Sequence, residues 1–280
     1  RVATSVLVCR VGSPTCTTRT ATSTGWSRSR QRPSFEIDAR SRRVQSYQQG
    51  GVVWRATGRV RAEFIATRHV IEYDQQEDLV TGSNLRTALS RHERSADLYV
   101  RYALTPLTTT YARVQVQDDL FTRSVDRDTT GGRIALGATF DARALVSGSV
   151  EIGVRKLRTK AGDLPDFTGL VGSAVLGHTT GGTRVSVMWH RDVAYSYQRE
   201  RPYYIDTEVG ARVRRQLFGN VDAIVSATRN RYAYRMFSAL LMPSEPGDLR
   251  RVEYGVDVGY RIRPDLRIGF GVSNWQRTSR

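Results

Sequence analysis

Between residues 131 and 213 the chain alternates apolar and polar side chains in strand-length runs, and few folds accept that pattern. Over 133–141, Ile134, Leu136, Ala138 and Phe140 alternate with Arg133, Ala135, Gly137, Thr139 and Asp141. Over 146–155, Val146, Val150, Ile152 and Val154 alternate with Ser147, Ser149, Glu151, Gly153 and Arg155. Val185, Val187 and Trp189 then oppose Arg184, Ser186 and His190, and Ile205, Val209, Ala211 and Val213 oppose Asp206, Glu208, Arg212 and Arg214. A period of two is a β-strand with one apolar face. The other face is wet, built of Arg, Asp, Glu, Ser and Gly.

Two architectures suit such strands. In a soluble sandwich the apolar face is core; in a transmembrane barrel it meets lipid while the polar face lines a water-filled lumen. The spacing between runs separates them. From residue 105 the connections alternate: 105–108 short, 119–130 long, 141–144 short, 157–168 long, 179–182 short, 191–203 long, 216–220 short, 231–248 long, 262–265 short. Short turns at one end and long loops at the other are the outer-membrane layout. The short connections carry turn chemistry: Thr105-Pro106, Gly181-Gly182, Gly219-Asn220 and Pro264-Asp265. Runs of about ten residues also match a tilted membrane-crossing strand.

The rest of the chain extends the pattern. A first strand is expected over 51–56 with Thr57-Gly58 as its turn, another over 59–70, a polar loop over 72–95, and further alternating runs at 96–104, 112–117, 221–230, 251–261 and 266–275. Counted from Gly51, about twelve strands emerge, and an even number agrees with closure. The expected fold is therefore all-β, an antiparallel up-and-down transmembrane β-barrel with short periplasmic turns and long extracellular loops. Residues 46–280 form it. Residues 1–45 are rich in Arg, Ser and Thr without periodicity and are expected to be disordered or non-native in origin. Gly255, Gly259, Gly269 and Gly271 fall on the polar face of the last hairpin, where small side chains relieve crowding. Tyr195, Tyr197, Tyr203, Tyr204, Tyr232, Tyr234 and Tyr260 cluster at strand ends, as an interfacial aromatic girdle requires.

Composition excludes other classes. With 25% charged residues, no run approaches the roughly 18 apolar residues of a spanning helix. The formal net charge is +16, which raises nucleic acid as a partner. The basic residues are almost all Arg, with Lys156 and Lys160 the two lysines. Nine arginines against Glu36 and Asp38 lie in residues 1–43, and aromatics do not interleave with a basic patch, so no nucleic-acid partner is expected. Cys9 and Cys16 suit a disulfide in an oxidising periplasm, on which the barrel would not depend. Val6-Leu7-Val8 is too short for a signal-peptide core of about 7 to 15 residues, so export is inferred from the barrel pattern.

Asp166-Phe167-Thr168-Gly169-Leu170-Val171, Gly182-Thr183-Arg184, His190-Arg191-Asp192-Val193-Ala194-Tyr195-Ser196-Tyr197 and Pro202-Tyr203-Tyr204 resemble bacterial outer-membrane β-barrel proteins of the porin type encoded with exopolysaccharide export genes. Leu104-Thr105-Pro106-Leu107-Thr108, Asp126-Arg127-Asp128 and residues 140–148 are similar to the preceding hairpins of that family. The resemblance covers residues 96–275 and implies a bacterial outer-membrane location and a part in polysaccharide passage. Its motif residues are Asp166, Phe167, Gly169, Arg191, Asp192, Tyr195, Ser196, Tyr197, Tyr203 and Tyr204.

Chemistry-bearing motifs are sparse. His190-Arg191-Asp192 lacks the kinase Asn, because Tyr197 stands in its place, and Asp166-Phe167-Thr168 is not Asp-Phe-Gly. Arg191 and Asp192 are expected to form an ion pair in an extracellular loop or at the rim. A hydrolase would use His190 with Ser186, without a nucleophile-elbow sequence to support it. His69, His92 and His178 complete the histidines, and no spacing supports zinc. Asp118-Asp119 and Asp126–Asp128 are weak calcium candidates. No catalytic, cofactor or metal residues are therefore assigned.

The sharper candidates are charges expected to line the lumen: Arg101, Arg113, Arg133, Arg155, Arg184, Arg212, Arg214, Arg251 and Arg261, with Glu151, Glu208 and Asp257, accompanied by Asp206 and Glu253. Unpaired, these arginines would favour anionic solutes. Paired across strands, they would neutralise themselves. The expected function is a non-enzymatic, porin-like channel or passage component linked to exopolysaccharide export. A non-conducting scaffold for an export partner and an outer-membrane hydrolase are the alternatives. Expected partners are outer-membrane lipid and lipopolysaccharide, an anionic polysaccharide, or polysaccharide-export proteins.

Overall fold

A computed structural model describes residues 3–10, 14–28, 40–73, 84–162, 164–196, 198, 201–236, 248–263 and 265–279. Its strands are β1 (Ala3–Arg10), β2 (Pro14–Arg28), β3 (Arg40–Arg55), β4 (Val60–Tyr73), β5 (Arg91–Thr105), β6 (Thr108–Phe121), β7 (Thr129–Phe140), β8 (Val146–Thr159), β9 (Phe167–Thr180), β10 (Thr183–Tyr195), β11 (Tyr203–Phe218), β12 (Val221–Arg235), β13 (Asp248–Arg263) and β14 (Leu266–Ser279). They form one 14-stranded sheet in which each strand pairs with its sequence neighbours. All the ladders are antiparallel, as in β5–β6, β10–β11 and β13–β14. This is the up-and-down order of an outer-membrane barrel. A helix, α1 (Leu85–Leu89), and a 3-10 turn at Val125–Arg127 interrupt two long connections. No described helix is long and apolar enough to cross a membrane.

The connections alternate as the spacing predicts. Residues 56–59, 106–107, 141–145, 181–182, 219–220 and 264–265 join strands at one end, and 74–90, 122–128, 160–166, 196–202 and 236–247 join them at the other. At the β9–β10 turn Gly181 and Gly182 take φ of +51° and +77°, the left-handed pair that a two-residue hairpin demands. The twelve strands counted from Gly51 are β3 to β14. β3 starts earlier, at Arg40, and β5 starts at Arg91, inside the stretch expected to be loop. Ala3–Arg10 and Pro14–Arg28 differ from the expected disordered segment, because they form a hairpin that adds to the sheet edge at β3. Its register sets Cys9 opposite Cys16. The Thr run of β2 has strand propensity without an apolar period, so propensity rather than pattern was the signal there.

The two faces follow from the register. Asp97, Gln115, Arg133 and Arg155 stand in one cross-strand row, and Leu98, Val114, Ile134 and Val154 stand in the next row, on the other face. The apolar face is open to the surroundings: Ile134 is 67% exposed, Val256 53% and Phe270 77%. Such a face fits hydrocarbon and not water. On the polar face, Arg133 of β7 meets Asp192 of β10, and Tyr195 of β10 meets Asp119 of β6. Strands three and four places apart are about 14 and 19 Å apart in a flat sheet. These side chains meet because the polar face is concave, as the wall of a barrel requires.

Candidate functional site: a constriction on the polar face

β9 and β10 separate before they end. Their ladder stops at Arg191 and Gly172, yet β9 begins at Phe167 and β10 runs to Tyr195. Over 192–195 β10 pairs with β11 alone, through Asp192–Asp206 to Tyr195–Tyr203. This upper end of the β10–β11 hairpin leaves the wall and packs across the concave face. Tyr203 and Ile205 join Leu157, Leu164, Phe167 and Val171 in one apolar cluster, with Val193 and Tyr195 against it. Tyr204 joins Tyr232, Tyr234 and Leu249 in a second.

Polar contacts fasten the crossing segment. Asp192 accepts from Arg155 Nη1 at 2.8 Å and from Arg133 Nη2. Tyr195 donates to Asp119 Oδ2 at 2.5 Å, shares a hydrogen bond with Thr129, packs edge-on against Phe121, and lies under the Arg91 guanidinium. Arg127, 2% exposed, donates from Nη1 to the Ala88 carbonyl at 2.6 Å and the Ser196 carbonyl at 2.8 Å, and from Nη2 to the Gln198 carbonyl. One buried cation thus ties the end of α1 to the β10–β11 connection. A guanidinium suits the task because its donors fork toward several acceptors at once.

Beneath the segment the polar face carries an alternating charge chain. Arg101 bonds Glu63 at 2.9 Å; Arg113 bonds Asp97 at 2.8 Å and Glu151 at 3.2 Å; Arg133 reaches Glu151 at 3.5 Å. Tyr111 adds a bond to Glu151 at 3.0 Å, and its ring packs over Gly137, where a Cβ would collide with it.

The balance shifts toward the short turns of β10 to β14. Arg184 stands directly opposite Arg214, and Arg261 directly opposite Arg267. Asp222 takes Arg267 at 2.7 Å, Arg261 at 3.8 Å and Arg214, and Asp257 takes Arg267. Among the described residues Arg184 and Arg212 have no carboxylate partner. Like charges directly opposite each other repel, and among the described residues more arginines than carboxylates stand at this end of the polar face. Gly259, Gly269 and Gly271 give Arg267 and Asp257 their room, as the polar-face glycines predict.

The register puts every charge singled out in the sequence on the polar face, but not in one cluster. Arg101, Arg113, Arg133, Arg155 and Glu151 join the chain at the constriction. Arg184, Arg212, Arg214, Arg261 and Asp257 gather at the short-turn mouth. Glu208 accepts from Asn230 at 2.9 Å, and Arg251 bonds Glu253 at 3.0 Å with its guanidinium over Trp275.

Two expectations are corrected. Arg191 and Asp192 do not pair: neighbours in a strand point to opposite faces, and Arg191 bonds the Leu170 carbonyl and Thr207, both at 3.0 Å, on the apolar side. Tyr203, Tyr204, Tyr232 and Tyr234 are not a lipid-facing girdle, because they are buried in the two apolar clusters, Tyr203 at 0% and Tyr232 at 1%. Tyr260 is exposed, and Tyr197 lies outside the described residues. The Asp candidates do not converge: Asp119 serves Tyr195 and Gln117, while Asp128 caps the Phe121 amide at 2.7 Å.

Of the remaining motif residues, Asp166 Oδ1 accepts from the Thr159 amide at 2.9 Å, Phe167 is in the apolar cluster with its ring against Gly169, and Ser196 caps the Gln198 amide at 3.1 Å. The ladder sets His190 between Ser173 and Glu208, not beside Ser186, and no hydrogen bond joins these groups among the described residues. Sequence reasoning missed Arg127 and Tyr195 as anchors. Both lay in quoted motifs, but their partners come from distant strands.

A curved antiparallel sheet with an apolar outer face and a charged, constricted inner face defines a porin-type β-barrel of the bacterial outer membrane. Residues 15–280 match the family described as Putative beta-barrel porin 2, and the chain belongs to that family. No curated protein matches the chain in sequence. Among solved structures it is similar to BauA, the ferric preacinetobactin receptor from Acinetobacter baumannii, at 12% identity and a TM-score of 0.47, covering 97% of this chain and 53% of that one. It is also similar to the CymD monoaromatic hydrocarbon channel at 10% identity and a TM-score of 0.32, covering 98% of this chain and 77% of that one. The chain spans about half the length of the receptor.

Proposed function

We propose that the protein is a porin-like passage that favours anionic solutes, with an anionic polysaccharide as the solute class that the sequence resemblance implies. The observation that carries this reading is the short-turn mouth, where among the described residues Arg214, Arg261 and Arg267 pair with Asp222 and Asp257 while Arg184 and Arg212 have no carboxylate partner. An anion entering there meets guanidiniums that the protein does not neutralise. It then reaches the constriction, where Asp192 pairs with Arg133 and Arg155. Transport is passive, and no covalent step is assigned to any residue.

Reversal potentials across a bilayer with a salt gradient test the reading. Anion preference is expected, and substituting Arg184, Arg212 and Arg214 with Gln should move the potential toward zero. Cation preference in the unsubstituted protein would sink it. The segment crossing the polar face favours a second reading, a plugged scaffold for an export partner. A folded barrel that conducts nothing would select it.

A further inference from the structure

The apolar face is not uniform. Across β9 to β14 it contains a groove of about 770 Å³. Its floor is made by the small side chains of Ala174, Ala211 and Ala227, and Trp189 and Tyr254 stand along it. Val187, Val209 and Val252 add apolar lining, and Thr228, Gln276 and Thr278 add polar groups to it. At the end nearest the long connections the groove is closed by Arg229 and Arg250. The ladder sets Arg229 beside Val252, and Arg250 beside Arg231.

Two cations on a face that meets hydrocarbon demand an explanation, because an uncompensated charge at an apolar surface is costly. Arg231 next to them is compensated by Asp248, with Nε at 2.9 Å and Nη2 at 2.5 Å from Oδ2. Arg229 and Arg250 have no such carboxylate among the described residues. Arg250 Nε is also buried without a hydrogen-bond partner among them. Among the described residues the site thus presents two guanidiniums without a carboxylate partner, at the end of a largely apolar trough of about 770 Å³.

We infer that this groove binds a phosphorylated, multiply acylated glycolipid of the outer leaflet, of the lipid A class. Its phosphate would sit on Arg229 and Arg250, and one acyl chain would lie over Ala211 and Ala227 between Trp189 and Tyr254. Guanidinium and phosphate form forked, charge-assisted hydrogen bonds, here through the terminal Nη donors. The alanines matter as much as the arginines, since a larger side chain there would fill the trough. The inference rests on the outer-membrane reading, with the long connections facing outward. A phospholipid of the inner leaflet would meet the opposite, short-turn end, where the groove has no cation.

The test uses the full chain refolded in detergent. Native mass spectrometry follows retention of bisphosphorylated lipid A, dephosphorylated lipid A and phosphatidylethanolamine. One retained lipid A is expected, with at least tenfold weaker retention of the other two. The double variant R229Q/R250Q should lose the phosphate preference, and A227L should weaken all retention by filling the trough. Both sites face lipid, and heat-modifiable migration confirms that each variant folds.

Equal retention of dephosphorylated and phosphorylated lipid A, or unchanged retention by R229Q/R250Q, overturns the inference. So does a dimer that A227L dissociates without any lipid bound, which would make a second copy the occupant. Failure of the protein to become heat-modifiable in bilayers would strike the outer-membrane reading itself. A folded, inserted barrel that retains no lipid A would strike only the groove.

Discussion

At the residue scale, the tightest determinants are cations surrounded by acceptors. Arg127 holds three carbonyls of two separate connections, and the long aliphatic stem that carries it there is buried with it. Arg127→Met keeps most of that packing and removes the donors. Each buried acceptor left without a partner costs roughly 1–3 kcal/mol. The variant should therefore lower the urea midpoint measurably and make the 196–202 connection sensitive to protease in folded barrels. Protease resistance equal to the parent would refute the anchoring role. Asp192→Ala leaves Arg155 without its 2.8 Å acceptor and Arg133 with the weaker Glu151 contact at 3.5 Å. The loss should be about 2 kcal/mol in stability, and single-channel conductance should rise as the crossing segment loosens.

At the element scale, the hairpin ends decide more than the strands. β13 and β14 are joined by a backbone ladder, and Gly259 and Gly269 leave the concave side free for Arg267. A branched side chain in that space overpacks it, and Gly259→Val should destabilise by about 1–3 kcal/mol, read as a lower unfolding midpoint in bilayers. The β7–β8 turn, outside the spanning segments, gives a pH signature. The Arg143 guanidinium, bonding Asp141 Oδ1 at 3.0 Å, and the Arg143 amide, at 2.9 Å, hold that carboxyl below its ordinary value of 3.8. A carboxyl lowered on folding stabilises above the unfolded value, and that contribution is lost as pH falls through the folded one. Asp141→Asn should thus narrow the gap between melting temperatures at pH 6 and pH 3 by a small increment. An unchanged gap would show the turn bond to be energetically silent.

At the scale of the whole molecule, the two faces of one sheet are set for different surroundings, and the charge on the inner one is unevenly spread. Paired charge at the constriction and bare arginine at the short-turn mouth predict a conductance that depends on the sign of the applied voltage. A symmetric current-voltage curve in symmetric salt would contradict that distribution. Much of this architecture was legible before any coordinates. Alternation gave the faces, connection lengths gave the up-and-down order, and Gly181-Gly182 gave a turn that only φ above zero permits. Each of these is written locally, in runs and connections of roughly ten residues.

What lay beyond the sequence is long-range. Tyr203 and Tyr232 looked like interfacial aromatics, since strand-end Tyr serves lipid and buried clusters equally well; the departure of β10 from β9 decided for burial. Arg191 and Asp192 looked like a pair because they are adjacent, while the pleat sends them to opposite faces and gives Asp192 to Arg133 and Arg155. The sequence by itself determined the strands, their order and which side chains share a face, because these follow from a period of two and from turn chemistry. The tertiary structure alone decided which charges meet, where the lumen narrows and where the outer face is hollow. Those depend on sheet curvature, which brings together residues up to five strands apart and leaves no trace in local pattern.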